Sequence, residues 1–523
     1  MKPNGGALAD LPPRVVATVR LSAPGNTAGP RARGPSRAIA LAAAAAVAAL
    51  GVRLDLARRR DCISADGVPY VAAARAFHRG DWARGLASFH TPGYPLAIAA
   101  AYPLAGDWER AGIAVSLAAG VASVVPLAGL ARLAGLEGPA LAATLAAFVV
   151  TPYPAGYASK VRTEALYALC VLVALWAAAA AALRGRPGAA AVAGVATGLA
   201  YLARPEGLAL VVPLGAWLAG TLGRPHGLRA AAVVALGAAV VAAPYVLHLR
   251  RDTGRWMVSR KSAAVLSHAI DSATGEAQTV GQAESDRTPL REVLAGRWSL
   301  YARKVAIDAW RAVVALARAV YPAFVPFAVL GVALGRRRAP ALTRLLAAVA
   351  GFYLVFYALT HPGTRFFTAV ALALLVWCGA GLADALARAR ARGPVWAAAL
   401  VVVVLAATLP ETFRVENSCA YTRTLGETIA RLDPGRPRVA AADFRVAFYA
   451  AGRYEPLPGR LDPAGLRALA GRAGWLVALD GDLGPAARRL LEAGGRGPLA
   501  SAPTSGGKRT ARLYRLDGLA NGG

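Results

Sequence analysis

Apolar blocks of roughly 17–25 residues, separated by short basic turns, recur along most of this chain. That repeat is the pattern of a polytopic membrane protein and leaves few other folds open. The composition agrees. Of 523 residues, 56% are hydrophobic and 17% charged, against about 25% charged in soluble domains. Spans are expected near 37–54, 109–133, 139–157, 163–183, 188–204, 206–222, 228–248, 312–335, 341–360, 366–384 and 394–410. The stretch 188–222 is the least regular, because "ARPEG" interrupts it. The expected fold is therefore an all-α polytopic membrane protein of about eleven transmembrane helices, with a small C-terminal α/β domain.

The net charge is +30, nearly all of it from Arg. A basic surface can signal nucleic acid. Here the Arg residues punctuate the apolar blocks rather than gathering on one domain, so nucleic acid is set aside. The charge serves topology and contact with anionic lipid instead. "LRGRPG" (183–188), "GRPHGLR" (223–229), "GRRRAPALTR" (335–344) and "ARARARG" (387–393) fall on one side if eleven spans are correct. Arg31, Arg33 and Arg37 of the N-terminal tail join them. The positive-inside rule makes that side cytoplasmic in a plasma (inner) membrane. "ARRR" (57–60) and "RRDTGRWMVSRK" (250–261) break the rule by lying outside.

Residues 1–36 are rich in Pro, Gly and Arg and read as a disordered cytoplasmic tail rather than a cleaved signal. Residues 37–410 form the membrane part, with a first extracytoplasmic loop at 55–108. Residues 411–523 lie outside as an α/β domain. There "RVAAAD", "WLVALD" and "ARLYRL" read as strands, and "DPAGLRALAGRA" and "GPAARRLLEA" as amphipathic helices. That domain carries no Gly-rich phosphate loop and no cluster of metal ligands, so no metal site is assigned. No cofactor is identified, and a divalent metal stays open. Cys170 and Cys378 fall within spans as packing residues. Cys62 and Cys419 are both outside and near the membrane; they are able to pair, but the preferred reading leaves them unpaired.

The first loop concentrates polar and aromatic residues. In "SADGVPYVAAARAFHRGDWARGLASFHTPGYP" (64–95), Asp66 and Tyr70 have the spacing that shares one helix face. A carboxylate there is either a general base or simply the N-cap of the following helix. Asp81, in "GDW", is more naturally a turn former.

These features resemble the C-type membrane glycosyltransferases (GT-C fold), above all the protein O-mannosyltransferases and the lipid A aminoarabinose transferases. The matching residues are Asp66, Tyr70, Gly80, Asp81, Trp82, Pro92, Tyr94 and Pro95. Further along, "RTEALYALCVLVALW" (162–176), "GLAYLARPEGLAL" (198–210), "LRRDTGRWMVS" (249–259) and "THPGTRFFTAVALALLVWCGAGL" (360–382) resemble other family segments in the same order. Two positions depart. The Glu that follows the first Asp in relatives is Gly67 here, and their Lys before the Pro turn is Thr91, beside His90.

The resemblance implies transfer of a sugar from a polyprenyl-phosphate carrier to a hydroxyl of a lipid, glycan or protein acceptor. Asp66 would be the base, its strength raised by partial desolvation. The leaving phosphate needs cations, drawn from Arg162, Arg204, Arg260, Lys261 and Arg365. Each has a plainer role as an interfacial anchor, a surface pair or a solvated loop charge. Glu164 and Glu206 complete the polar set; Tyr70, Asp81, His90 and Tyr94 are further substrate contacts. A transporter or lipid flippase is the main alternative, since it too is polytopic. It would show repeat-related halves and broken mid-membrane helices, and no convincing internal repeat is visible. A non-catalytic lipid-binding scaffold has no use for Asp66.

Overall fold

In a computed structural model, residues 35–275, 280–281, 284–415, 417–504, 509–517 and 519 are described. The expected disordered tail lies outside the described residues, apart from its last two positions, which open the first helix. Among the described residues, eight helices are long and apolar enough to cross a membrane: Ser36–Arg58, Trp108–Leu133, Glu164–Leu183, Pro205–Leu222, His226–Thr253, Pro340–Leu359, Thr368–Arg392 and Pro394–Thr412. Two bent pairs, Gly138–Val150 with Pro152–Ala158 and Trp298–Val320 with Pro322–Arg338, together with the shorter apolar helix Gly188–Ala203, account for the remaining expected spans. The chain is a multi-pass membrane protein.

One expected span is corrected. Residues 312–335 are not a straight helix, because the chain turns by 83° between Trp298–Val320 and Pro322–Arg338. Tyr321 sits at the corner with φ 81° and Pro322 follows, so the helical ladder cannot continue. Two contacts show where the first helix of the pair lies. Near its start Tyr301 donates to the Leu359 carbonyl at 3.1 Å, and just past its end Tyr321 donates to the Ala407 carbonyl at 2.7 Å. Both acceptors belong to the C-terminal ends of crossing helices, so Trp298–Val320 lies across one end of the bundle. Its buried stripe Lys304, Asp308, Ala312, Ala315 and Ala319 recurs every three or four residues, while Trp298 and Trp310 are exposed. That is the pattern of a helix lying in a membrane interface.

Thr368–Arg392 is the central helix, its apolar window 67% buried. Small residues let neighbours approach it. A Cβ on Gly379 would collide with Thr144, and one on Gly381 with the Phe327 carbonyl.

The C-terminal region forms a five-stranded mixed sheet in the order β2-β1-β3-β5-β4, with β1 Arg438–Ala441, β2 Arg453–Pro456, β3 Trp475–Leu479, β4 Ala500–Pro503 and β5 Thr510–Arg515. β1 is parallel to β2 and β3; β5 is antiparallel to β3 and β4. Side chains alternate between two cores. Val439, Ala441, Trp475 and Val477 face the helix Ala420–Leu432, whereas Ala440, Leu476 and Ala478 face Pro463–Ala470 and Pro485–Ala493. The three expected strands and both expected helices are present; β2 and β4 are additional, short and largely exposed edge strands.

A disulfide joins Cys62 to Cys419. This corrects the expectation that the two stay unpaired. Residues 357 apart meet because the sheet region docks on the first loop, a juxtaposition that sequence separation hides.

Candidate active site

Six helix-terminal segments converge at the end of the bundle where Trp298–Val320 lies. Two threonines draw three of them together: Thr91, next to His90, and Thr163, between Arg162 and Glu164, both donate to the carbonyl of Ala203, at 3.0 and 3.1 Å. The residue after that carbonyl is Arg204. Thr91 is thus a buried clamp. Gly93 allows the approach, since a Cβ there would lie 2.6 Å from the Leu202 carbonyl oxygen.

Asp66 closes a tight turn held by Gly67 N–H donating to Ser64 O (2.8 Å) and Ser64 Oγ donating to Val161 O (2.8 Å). It precedes the helix Gly67–His78 but makes no side-chain capping bond. Its carboxylate instead takes Arg365 at 2.9 Å and Arg162 at 3.2 Å, both on the same oxygen. The capping role that competed with catalysis is therefore unfilled. Burial alone would push the Asp66 carboxyl up; Arg162 and Arg365, helped by His90 and Lys261, outweigh it and hold the carboxyl below its usual range. The expectation of a strengthened base is corrected: in this state Asp66 is ionised but weakly basic.

Around it runs an alternating chain of charges. Arg162 lies 3.6 Å from Glu164, Glu164 lies 3.2 Å from Arg204, and Arg204 lies 2.7 Å from Glu206. Aromatic faces complete the site: Tyr157 under Arg162, and Phe366 under both Arg204 and Arg365. Tyr353 donates to the Glu206 carbonyl at 3.0 Å. Sequence reasoning missed Tyr157, Tyr353 and Phe366; Phe366 adjoins Arg365, the one signal that was available.

Lys261 faces the same space. Its ammonium has no carboxylate or hydrogen-bond partner among the described residues and sits 6.0 Å from the Phe89 ring. Burial lowers its pKa to about 8, with nearby Arg204 and Arg365 pushing the same way against Glu206 and Asp66. His90 packs on Tyr70 at 4.5 Å between ring centroids, and its buried Nδ1 has no partner among the described residues. Burial, with Lys261 nearby, brings its pKa down to about 3, so the imidazole is neutral.

Other expected contacts lie elsewhere. Arg260 spends both terminal nitrogens on Asp252 (2.5 Å) and Asp286 (2.8 Å), which leaves neither for a phosphate. Asp81 is exposed and caps the helix Trp82–Leu86 by accepting from Arg84 N–H at 3.0 Å. The Tyr94 hydroxyl is spent on Gly112 O (2.9 Å) and Ser116 Oγ (2.7 Å), and Tyr70 is a buried packing residue.

ArnT from Cupriavidus metallidurans, in a structure bound to undecaprenyl phosphate, matches at TM-score 0.53 and 16% identity over 94% of this chain and 100% of that one. The fold is GT-C-like. The Archaeoglobus fulgidus oligosaccharyltransferase matches as well, at TM-score 0.53 and 12% identity in its apo form (84% of this chain, 69% of that one). Its complex with Zn and sulfate gives 0.51 and 11% (84% and 67%). The family described as dolichyl-phosphate-mannose-protein mannosyltransferase matches residues 89–248, a stretch that includes His90, Arg162, Glu164, Arg204 and Glu206 but not Asp66. No curated protein matches the chain. The resemblance read from the motifs therefore holds for the GT-C fold.

Proposed function

We propose that this protein transfers a sugar from a polyprenyl-phosphate carrier to the hydroxyl of a lipid, glycan or protein acceptor at the extracytoplasmic face of the plasma membrane. One observation carries the reading. Among the described residues, Asp66 has one carboxylate oxygen without a partner and stands at the mouth of the bundle with four cations (Arg162, Arg204, Lys261, Arg365) and two further carboxylates, Glu164 and Glu206. That surplus suits an anion held beside a base.

The acceptor oxygen attacks the anomeric carbon, the bond from that carbon to the phosphate oxygen breaks, and Asp66 takes the hydroxyl proton. The leaving carrier phosphate gains a negative charge as it departs, and Lys261 and Arg365 lie where that charge would be met. Arg365 has a 40% exposed side chain and holds Asp66 through one nitrogen. Drawn onto the donor phosphate, it would leave the carboxylate to Arg162 alone, and the carboxylate would regain part of its basicity. Arg162 stays behind, fixed by Glu164 and stacked on Tyr157. Relatives of this fold include a protein crystallised with undecaprenyl phosphate, which supports a lipid-linked donor.

The test is transfer from a radiolabelled polyprenyl-phosphate sugar in membranes, wild type against Asp66→Asn. Sugar transfer by wild type that collapses in the variant supports the reading; a well-expressed Asp66→Asn protein at the wild-type rate removes Asp66 as the base.

A further inference from the structure

The segment that delivers Asp66 is gripped by the C-terminal sheet region at four points. The Arg59 carbonyl accepts from Asn417 at 2.9 Å. Asp61 accepts Cys419 N–H through its carboxylate (3.1 Å) and Arg423 Nε through its carbonyl (2.8 Å). Cys62 is bonded to Cys419, and Arg445 donates to both sulfurs, at 3.4 and 3.1 Å. Ile63 N–H donates to the Tyr449 hydroxyl at 2.6 Å, and that hydroxyl donates to Glu109 at 3.1 Å. Glu109 closes the ring by accepting one terminal nitrogen of Arg423 on both its oxygens, each at 3.0 Å, and Arg423 stacks over Tyr449 at 4.8 Å. From Ser64 onward the grip passes to the bundle, through Ser64 to Val161 and Asp66 to Arg162 and Arg365.

The geometry points to a catalytic role for the sheet region: through Arg423, Tyr449, Glu109 and the Cys62–Cys419 bond it fixes the Arg59–Ile63 segment and so sets the position of the Asp66 carboxylate. These are positioning residues; none touches the reacting atoms, and the inference rests on the reading of Asp66 as the base. Only Ser64 and Ala65 separate the last position clamped by the sheet region, Ile63, from Asp66, so little slack is available to absorb a shift. Misplacement of a reacting group by about 1 Å can cost about a hundred-fold in rate. Of the donor cations, Arg162 and Arg204 are held by Glu164 and Lys261 sits at the head of the helix Ser262–Thr274, whereas Arg365 is tied to Asp66 until the donor draws it away. Loosening the latch therefore acts mainly on the chemical step.

The experiment uses the full-length protein and three variants: Arg423→Gln, Tyr449→Phe, and Arg423→Lys as a partial rescue. Rates of transfer from a polyprenyl-phosphate sugar are separated into kcat and donor KM, with folded fraction followed by thermal unfolding and limited proteolysis. The expected result is a kcat at least about ten-fold lower for Arg423→Gln, a smaller drop for Tyr449→Phe, donor KM within about two-fold, and part of kcat regained in Arg423→Lys. Wild-type kcat in both Arg423→Gln and Tyr449→Phe overturns the latch, as does activity that falls only in proportion to folded protein. Asp66→Asn run alongside separates the two readings. If it is inactive while the latch variants are normal, the latch alone fails; if it is fully active, the base assignment fails and the positioning argument with it.

Discussion

Two networks of arginine and carboxylate lie near Asp66, and they are built differently. At the joint between the bundle and the sheet region, Arg423 meets both oxygens of Glu109, and Arg445 meets Asp443. At the mouth of the bundle one carboxylate oxygen is shared by two arginines, and Lys261 has no acidic partner among the described residues. A network whose cations each have a carboxylate is a fastening, because its charge-assisted donors and acceptors are matched. A network with surplus cations is incomplete, and a phosphate completes it. The same contrast divides two adjacent residues: Arg260 is shut between two carboxylates, whereas Lys261 is left open. Charge alone does not mark a binding residue; the unmatched charge does.

The comparison is tested most strongly at the mouth. Asp66→Asn is expected to lower kcat by about 10²–10⁴, read as initial transfer rate at saturating donor. Asn caps a helix about as well as Asp, so a capping role predicts near-normal activity.

Next come the adjacent residues. Lys261→Met should raise donor KM about ten- to a hundred-fold, the loss of a charge-assisted phosphate contact worth about 1.5–3 kcal/mol. Arg260→Met should leave the donor KM of folded protein unchanged and lower stability by about 1 kcal/mol, seen in thermal unfolding, because Asp252 and Asp286 lose their partner but stay in contact with water. A reversed pattern would exchange their roles.

The pH dependence sharpens the point. With a pKa of about 8, Lys261 is an ammonium below that pH and loses its charge above it. Donor KM should therefore rise as pH passes through 8 toward 9.5, by at most about ten-fold per unit for one proton. Lys261→Arg, which stays charged across this range, should flatten the profile; an unchanged slope removes Lys261 from the donor site.

The smallest effect is expected at Asp81. Asp81→Asn keeps the cap on Trp82–Leu86, so stability should move by less than about 0.5 kcal/mol and transfer kinetics should not change. A marked loss of kcat would move the base from Asp66 to Asp81.

The sequence was a good guide wherever a residue's role follows from its neighbours along the chain. The ends of the crossing helices, the three inner strands and the polar segments at 66, 90, 162, 204 and 365 were all legible, because bilayer thickness and strand alternation are local periodicities. The bend at Tyr321 was harder to see: the apolar run continues across it, and hydropathy does not register a change of direction. Arg260 and Lys261 look interchangeable in "SRKS"; Asp252 and Asp286 distinguish them only once the loop has folded.

By itself, then, the amino-acid order determined that this is a many-helix membrane protein with a small mixed sheet at its C-terminal end, and which segments carry polar chemistry. Tertiary structure alone decided that Thr91 and Thr163 meet on one carbonyl, that Cys62 pairs with Cys419, and that Arg162 and Arg365 weaken Asp66 rather than burial strengthening it. The physical reason is distance. Burial of apolar surface is written into composition and periodicity, whereas a hydrogen bond, a disulfide or a Coulomb interaction acts over a few ångströms between groups that the chain may hold hundreds of residues apart.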